Sequence, residues 1–460
     1  MTTSEAKPNS GSAGVPSAQE LVELDRRHLV HPHQRRDRPE RYVVVRGRGS
    51  TVWTADGTEL LDAAGAANWL AQVGHGRPEL VQAAADQLAE LAYFTSFDVF
   101  SNDKSIRLAA RLAALAPEGI NKVFFTSGGS EGVDTAIKAA RLFHNRTGQP
   151  DRTWIIARTM GYHGATYGGG TATGFEMLHH GTGPHLPHVA KVTPPWVYRA
   201  QDFCGDRNFT DHLLDELAAT IEEIGPGNIA AMIGEPVMGG GGILIPPDDY
   251  WPRVREMLAA NGILLIADEV VTAFGRTGVW FDSVRRGMDA DIIVTAKALT
   301  SGYQPLGAVL MRDDIAEALV DEQFAHGFTY FGHPVACAVA LTNLDLIERE
   351  GLVERAVEIG EWFTEHLAPL RDLPVVGDVR VAGATVGIEL VADKATREPL
   401  MAGDAAREIR DAHRVVVRDY GPTLVLAPPL VFEQHEAKRV ADALHEVLSR
   451  LDGDGRLAPR

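Results

Sequence analysis

Apolar and polar residues follow three different rhythms along this chain. Between 42 and 62 they alternate, YVVVRGRGSTVWTADGTELLD, the period of a strand with one buried face, and Asp56-Gly57 supplies a hairpin turn. Residues 78–91 and 101–115 keep the helical period instead; in the second, Ile106, Leu108, Ala109, Leu112 and Leu115 fall on or near one face. From 122 onward come short unbroken apolar runs, at 122–126, 153–157, 229–233, 263–267, 292–294 and 308–311, with helical patterns at 211–224 and 250–260 between them. Such runs read as strands buried on both faces, and their alternation with helices predicts an α/β core. Beyond about residue 344 the pattern predicts a smaller α+β unit with strands at 384–390, 415–417 and 424–427. Residues 174–209, rich in His and Pro, read as loops, and the four glycines 239–242 as a flexible connection without the lysine of a nucleotide-binding loop. The first residues, rich in Ser, Pro and Gly, predict a disordered tail over 1–18.

Two of the buried runs end in charge. GILLIADEV delivers Asp268, and DIIVTAK delivers Lys297, to the carboxyl ends of strands, where an α/β sheet opens its ligand crevice. A structural ion pair is the ordinary explanation of an acid and a lysine so placed. Here each is followed by irregular backbone, FGRTG after the acid and a Gly- and Pro-bearing loop at 301–307 after the lysine, which suits wrapping a ligand. A lysine in a partly dry crevice can lose its proton and attack a carbonyl, and a nearby carboxylate keeps a pyridine nitrogen protonated. Pyridoxal phosphate requires that pair. At the end of the 122–126 run, Gly128, Gly129 and Ser130 open a helix, joining close backbone approach to free N–H groups as a phosphate cradle does.

Composition removes several other functions. The net charge of −18 gives a polyanion such as nucleic acid or an anionic membrane nothing to bind, and 460 residues suffice for two domains. Cys204 and Cys337 are the only cysteines, too few for a disulfide framework or a CxxC metal site. The histidines of HLVHPHQRRDRPERY match no metal spacing, and Pro32 breaks any helix that would align them. With no apolar signal core and no segment of about 18 apolar residues, a cytoplasmic enzyme is expected.

Three motifs in order, ADEVVTAFGRTG at 267–278, AKALTSGYQPLGAV at 296–309 and HGFTYFGHPVACAVAL at 326–341, resemble the class III, or omega, aminotransferases, in particular the pyruvate-dependent omega-transaminases. The likeness runs from about Asp25 to about Leu448. It implies the α/β fold of the type I pyridoxal-phosphate-dependent transferases, with a mixed, mostly parallel seven-stranded sheet flanked by helices and a smaller α+β domain. The implied division is 19–75 as the N-terminal segment of the small domain, 76–343 as the cofactor-binding domain and 344–460 as the rest of the small domain. It further implies a homodimer, or a dimer of dimers, with active sites at the subunit interface. By resemblance Lys297 and Asp268 are catalytic, the lysine as Schiff base and proton carrier. Gly129 and Ser130 bind the phosphate, helped by Thr329 from the partner, while Tyr162, beside His163, stacks on the ring opposite Val270. Trp69, Tyr162 and Glu235 approach the amine, and Arg418 holds a keto-acid carboxylate, most simply pyruvate. Ser127-Gly128 replaces the family's Asn-Ser, and Phe331 stands where a small residue is usual. Related readings are an aminotransferase using 2-oxoglutarate with ornithine, 4-aminobutyrate or a diamine, an aminomutase of the same fold, and a scaffold that has lost its chemistry.

Overall fold

A computed structural model describes residues 16–33 and 40–459; the predicted tail falls outside it except at its end, where Ser17 caps the helix Ala18–His28 through a capping box with Glu20. The central sheet has seven strands in the spatial order Ile120–Thr126, Gly307–Arg312, Ile292–Thr295, Leu264–Asp268, Ile229–Gly234, Trp154–Arg158 and Val189–Val192. Gly307–Arg312 is antiparallel to both neighbours, and the other pairings are parallel. Six of these strands lie where unbroken apolar runs predict them. The seventh, VAKV at Val189–Val192, lies in the stretch read as loops, where pairing with Trp154–Arg158 overrides its weak pattern.

Successive side chains of the inner strands go to opposite faces. Leu264 and Ile266 join the layer that includes Val133, Ala136 and Ile137 of the helix Gly129–Arg146, while Leu265 and Ala267 join the larger core on the other side. Each such side chain contributes about 1.5–3 kcal/mol of burial, which explains why the runs are apolar throughout. All the parallel strands therefore point their carboxyl ends to one edge.

Two four-stranded sheets form the smaller part. In one, Val44–Arg48, Thr51–Thr54 and Glu59–Asp62 make an antiparallel meander turning at Asp56-Gly57, and the two-residue strand Val415–Val416 adds in parallel. In the other, the order is Val376–Ala382, Thr385–Leu390, Thr423–Leu426, Arg418–Tyr420, all antiparallel. The chain thus changes sheets at Val417, so the 415–417 segment predicted in one small unit pairs instead with the N-terminal hairpin. Among the described residues no helix is long and apolar enough to cross a membrane, and no cluster of three or more metal-binding side chains occurs. His31, from the histidine run, is 2.7 Å from Asp25 instead.

Candidate active site

The parallel strands deliver their terminal residues into one buried cluster. Asp268 closes Leu264–Asp268, Glu235 follows Ile229–Gly234, and Lys297 follows Ile292–Thr295 after two residues. Lys297 adopts φ 44° at the head of a short turn, Lys297–Leu299, a conformation that costs a non-glycine residue on the order of 1–3 kcal/mol. That strain is held from outside: the buried Asn343 amide donates to the carbonyls of Ala298 (2.8 Å) and Leu299 (3.1 Å). Burial of the surroundings pushes the Lys297 ammonium below the ordinary lysine range, against the opposing pull of the Asp268 and Glu235 carboxylates. The neutral amine is therefore reached at lower pH than on a surface lysine.

Asp268 is 4% exposed. One of its oxygens lies 2.7 Å from Nδ1 of His163, and the other accepts the backbone N–H of Val270 at 3.2 Å. The Nε2 of His163 is buried without a partner among the described residues. His163 therefore orients the acid from behind rather than facing the crevice as a base. Glu235, also 4% exposed, accepts the backbone N–H groups of Tyr162 (3.2 Å) and Gly239 (2.8 Å), and burial raises its carboxyl above the usual range. It ties two wall segments together. The Tyr162 ring itself stays open to solvent, and partial burial raises its phenol.

Around the start of the helix Gly129–Arg146 two glycines, Gly129 and Gly164, have no space for a side chain. A Cβ on Gly129 would come 3.0 Å from a Val270 methyl, and one on Gly164, at φ 123°, would come 2.7 Å from Oγ of Ser130. The Ser130 hydroxyl accepts the N–H of Ala165 at 3.1 Å. A cradle lined by glycine, a buried lysine, an acid backed by histidine and an open aromatic ring fit pyridoxal phosphate at its phosphate, aldehyde, ring nitrogen and ring face respectively.

Two of the residues expected on the substrate side, Trp69 and Arg418, lie in one aromatic line with Lys297. Nζ of Lys297 lies 5.5 Å from the Trp69 ring, whose centroid is 5.3 Å from that of Tyr420, and Tyr420 in turn has the Arg418 guanidinium 5.5 Å above it. Trp69 is buried, at positive φ, in a distorted turn over Gly65–Trp69 that Asp62 holds by accepting the N–H groups of Ala64 and Ala66. Tyr420 is missing from the sequence reading, although its spacing of two from Arg418 in a strand puts both on one face. Asn343 carried no local signal. Thr329 is exposed, with its carbonyl accepting the Tyr93 hydroxyl at 2.7 Å; Phe331 packs edge-on against Phe124 and Phe125.

A family model described as aminotransferase class-III matches residues 33–448. The putrescine–pyruvate aminotransferase of Pseudomonas aeruginosa is 39% identical over 396 residues, covering 85% of this chain and 87% of that protein. An (S)-enantioselective omega-transaminase from Thermomicrobium roseum superposes with TM-score 0.90 at 41% identity, covering 95% of this chain and 99% of that one. An amine transaminase from an uncultivated Pseudomonas species, solved with pyridoxal phosphate bound, gives TM-score 0.88 at 40% identity, over 92% and 98% of the two chains.

Proposed function

Because the chain belongs to the class III aminotransferases and is a pyridoxal-phosphate-dependent transaminase, we propose that it moves an amino group from an amine or omega-amino acid to a keto acid, pyruvate in the first instance. The order is ping-pong, one product leaving before the second substrate enters. The bound cofactor supplies the electron sink for the carbon that loses its proton. Everything else falls to the chain. Lys297 anchors the cofactor and, once displaced, carries the proton on its amine, whose pKa burial lowers; Asp268, oriented by His163, bonds the ring nitrogen. Gly129 and Ser130 take the phosphate, and Val270 and Tyr162 hold the two ring faces. Glu235 sets Tyr162 by its backbone bond, Trp69 lines the amine pocket, and Arg418 receives the keto-acid carboxylate with two parallel bonds.

The observation that carries this reading is the line from Lys297 over Trp69 and Tyr420 to Arg418. It offers an apolar place for an amine and a cation for an acid beside one lysine. The putrescine–pyruvate relative supports pyruvate as the acceptor. We further infer a homodimer. Tyr93, Phe94, Phe97, Val99, Phe100 and Tyr330 are all exposed, an apolar surface large enough to want cover. Thr329 sits within it, as a residue completing the phosphate site of a second copy must. In this assembly 19–75 and 344–460 form the small domain around a cofactor-binding domain at 76–343, and the enzyme works in the cytoplasm.

The test follows the visible band of purified protein through each half-reaction. A panel of 1-phenylethylamine, putrescine, β-alanine, taurine, ornithine and 4-aminobutyrate is offered, and the band is then restored with pyruvate or 2-oxoglutarate. An amine that bleaches the band and pyruvate that restores it uphold the reading. Restoration by 2-oxoglutarate alone replaces the acceptor, and a band that no amine changes overturns the reading.

A further inference from the structure

A second set of buried charges lies outside the crevice and has no part in the reaction as assigned. Glu389 is fully buried in the strand Thr385–Leu390, accepting from Trp196 Nε1 (3.0 Å), Arg199 Nε (3.0 Å) and Arg380 Nη1 (2.7 Å). Arg380, with a side chain 9% exposed and a further bond to Asp378 at 3.0 Å, turns its remaining nitrogens outward from the sheet. Nε and Nη2 donate to the carbonyl of Gly242 at 3.2 and 2.9 Å. Gly242 ends the four-glycine segment that the sequence presents as a flexible connection. All four glycines are buried.

Their neighbours explain both the glycines and the packing. A Cβ on Gly239 would come 2.7 Å from the Trp69 ring, and one on Gly240 would come 3.1 Å from Cβ of Tyr162. At the other end, a Cβ on Gly242 would meet the Thr423 hydroxyl at 2.8 Å, and one on Gly387 would meet the Gly242 carbonyl at 2.4 Å. The segment is therefore a wall between the amine pocket and the small sheet. Register places it further: Arg380 pairs with Gly387, Gly387 with Val425, and Val425 with Arg418, so both arginines share one row and one face of the sheet. The wall lies on that face over Gly387.

We infer that Arg380, held by Glu389, is a positioning residue for substrate selection: by fixing the Gly242 carbonyl it sets the distance between the Trp69–Tyr162 side of the pocket and the sheet that carries Arg418. It touches neither substrate nor cofactor. The inference rests on Trp69 lining the amine pocket, so the experiment carries a control for that premise.

Four variants of the full-length holoenzyme are compared with the parent: Arg380→Gln, which removes the anchor; Arg380→Lys, which keeps its charge; Gly387→Ala, which displaces the same carbonyl without altering charge; and Trp69→Ala. The readout is the ratio of kcat/KM for 1-phenylethylamine over 2-aminobutane, with the bound-cofactor absorbance and thermal midpoint alongside. Both wall variants are expected to change the ratio by about fivefold or more, since misplacing a positioning group by a fraction of an ångström alters discrimination between a large and a small group. Arg380→Lys, which keeps the charge beside Glu389, recovers part of the ratio. If both wall variants lose thermal stability while the ratio stays within about twofold and Trp69→Ala changes it, Arg380 is structural only and the inference is overturned. If Trp69→Ala also leaves the ratio alone, the pocket assignment fails and takes this inference with it. Should Arg380→Gln not fold, Arg380→Lys and Gly387→Ala decide on the same readout.

Discussion

Two buried aspartates on adjacent strands of the central sheet, Asp268 and Asp291, occupy opposite edges and live differently. Asp291, 1% exposed at the amino edge, bonds Arg255 at 3.0 and 3.2 Å, accepts the N–H of Leu265 at 2.7 Å, and pairs with Arg312. Both its oxygens are paired with cations. Asp268, at the carboxyl edge, is bonded by a histidine and one backbone N–H, and among the described residues no arginine forms an ion pair with it. Around it stand an orphaned ring nitrogen on His163, a lysine at positive φ and a second acid, Glu235. The amino edge spends its charges on holding strands together, whereas the carboxyl edge keeps its charges short of partners and ready for a ligand.

The sharpest break of this comparison is at Lys297. Lys297→Ala removes the proposed anchor and proton carrier and is expected to lower turnover by about 10^4-fold, since a positioned proton-transfer group contributes up to that much. Steady-state rates and loss of the visible band under borohydride check it. Asp268→Asn keeps the shape but loses the charge beside the ring nitrogen, and is expected to cost about 10^2–10^3-fold in kcat with folding preserved, the magnitude typical of a preorganised electrostatic group. The matching change at the other edge should invert that pattern. Asp291→Asn removes the buried carboxylate that Arg255 and Arg312 share and leaves them only the exposed Asp289 and Asp314, and because those arginines are partly open to water the expected loss is about 2–3 kcal/mol of stability, with kcat and KM of the folded enzyme unchanged. Denaturant midpoints and kinetics on the same samples separate the two edges. Were Asp291→Asn to lower kcat at constant stability, the division between them would fall.

Arg418→Ala tests the aromatic line. It is expected to reduce kcat/KM for pyruvate by about 10–100-fold through the loss of charge-assisted bonds, while the half-reaction with an amine that lacks a carboxylate, such as 1-phenylethylamine, stays near parental. An equal loss in both half-reactions would mean that the arginine supports the wall and not the acid.

How far the site could be read from sequence follows from what is local. Asp268 and Lys297 were visible because each ends an unbroken apolar run, and the sheet must bury such runs with their ends at one edge. Gly129 and Ser130 were visible as a strand-to-helix turn. Tyr420 was within reach of the same logic, two residues from Arg418, but the chain changes sheets at Val417 and no local pattern records that. Asn343 reaches the Lys297 turn from a helix far along the chain, a contact that only the fold creates. The four glycines mislead in a different way. Composition reports their freedom in isolation, while the Trp69 ring, Tyr162, Leu244 and Thr423 occupy the space beside Gly239, Gly240, Gly241 and Gly242 in turn.

The smallest effect asked of the comparison concerns protons. Burial disfavours the ammonium form, so folding should lower the pH at which the Lys297 amine becomes available, even though the Asp268 and Glu235 carboxylates pull the other way. Cofactor-free protein should therefore take up pyridoxal phosphate at a rate that rises with pH and levels off with a midpoint below the ordinary lysine value of 10.5. The direction follows from the reacting species: only the neutral amine attacks the aldehyde, and a depressed folded value means it is already abundant where a surface lysine is still charged. Asp268→Asn removes one of the two charges that favour the ammonium and is expected to move the midpoint further down. The corresponding change at the amino edge, Asp291→Asn, should leave it in place. A midpoint at or above 10.5, or an equal shift from both variants, would show that the carboxyl edge does not tune its lysine and that its sparse pairing has another cause.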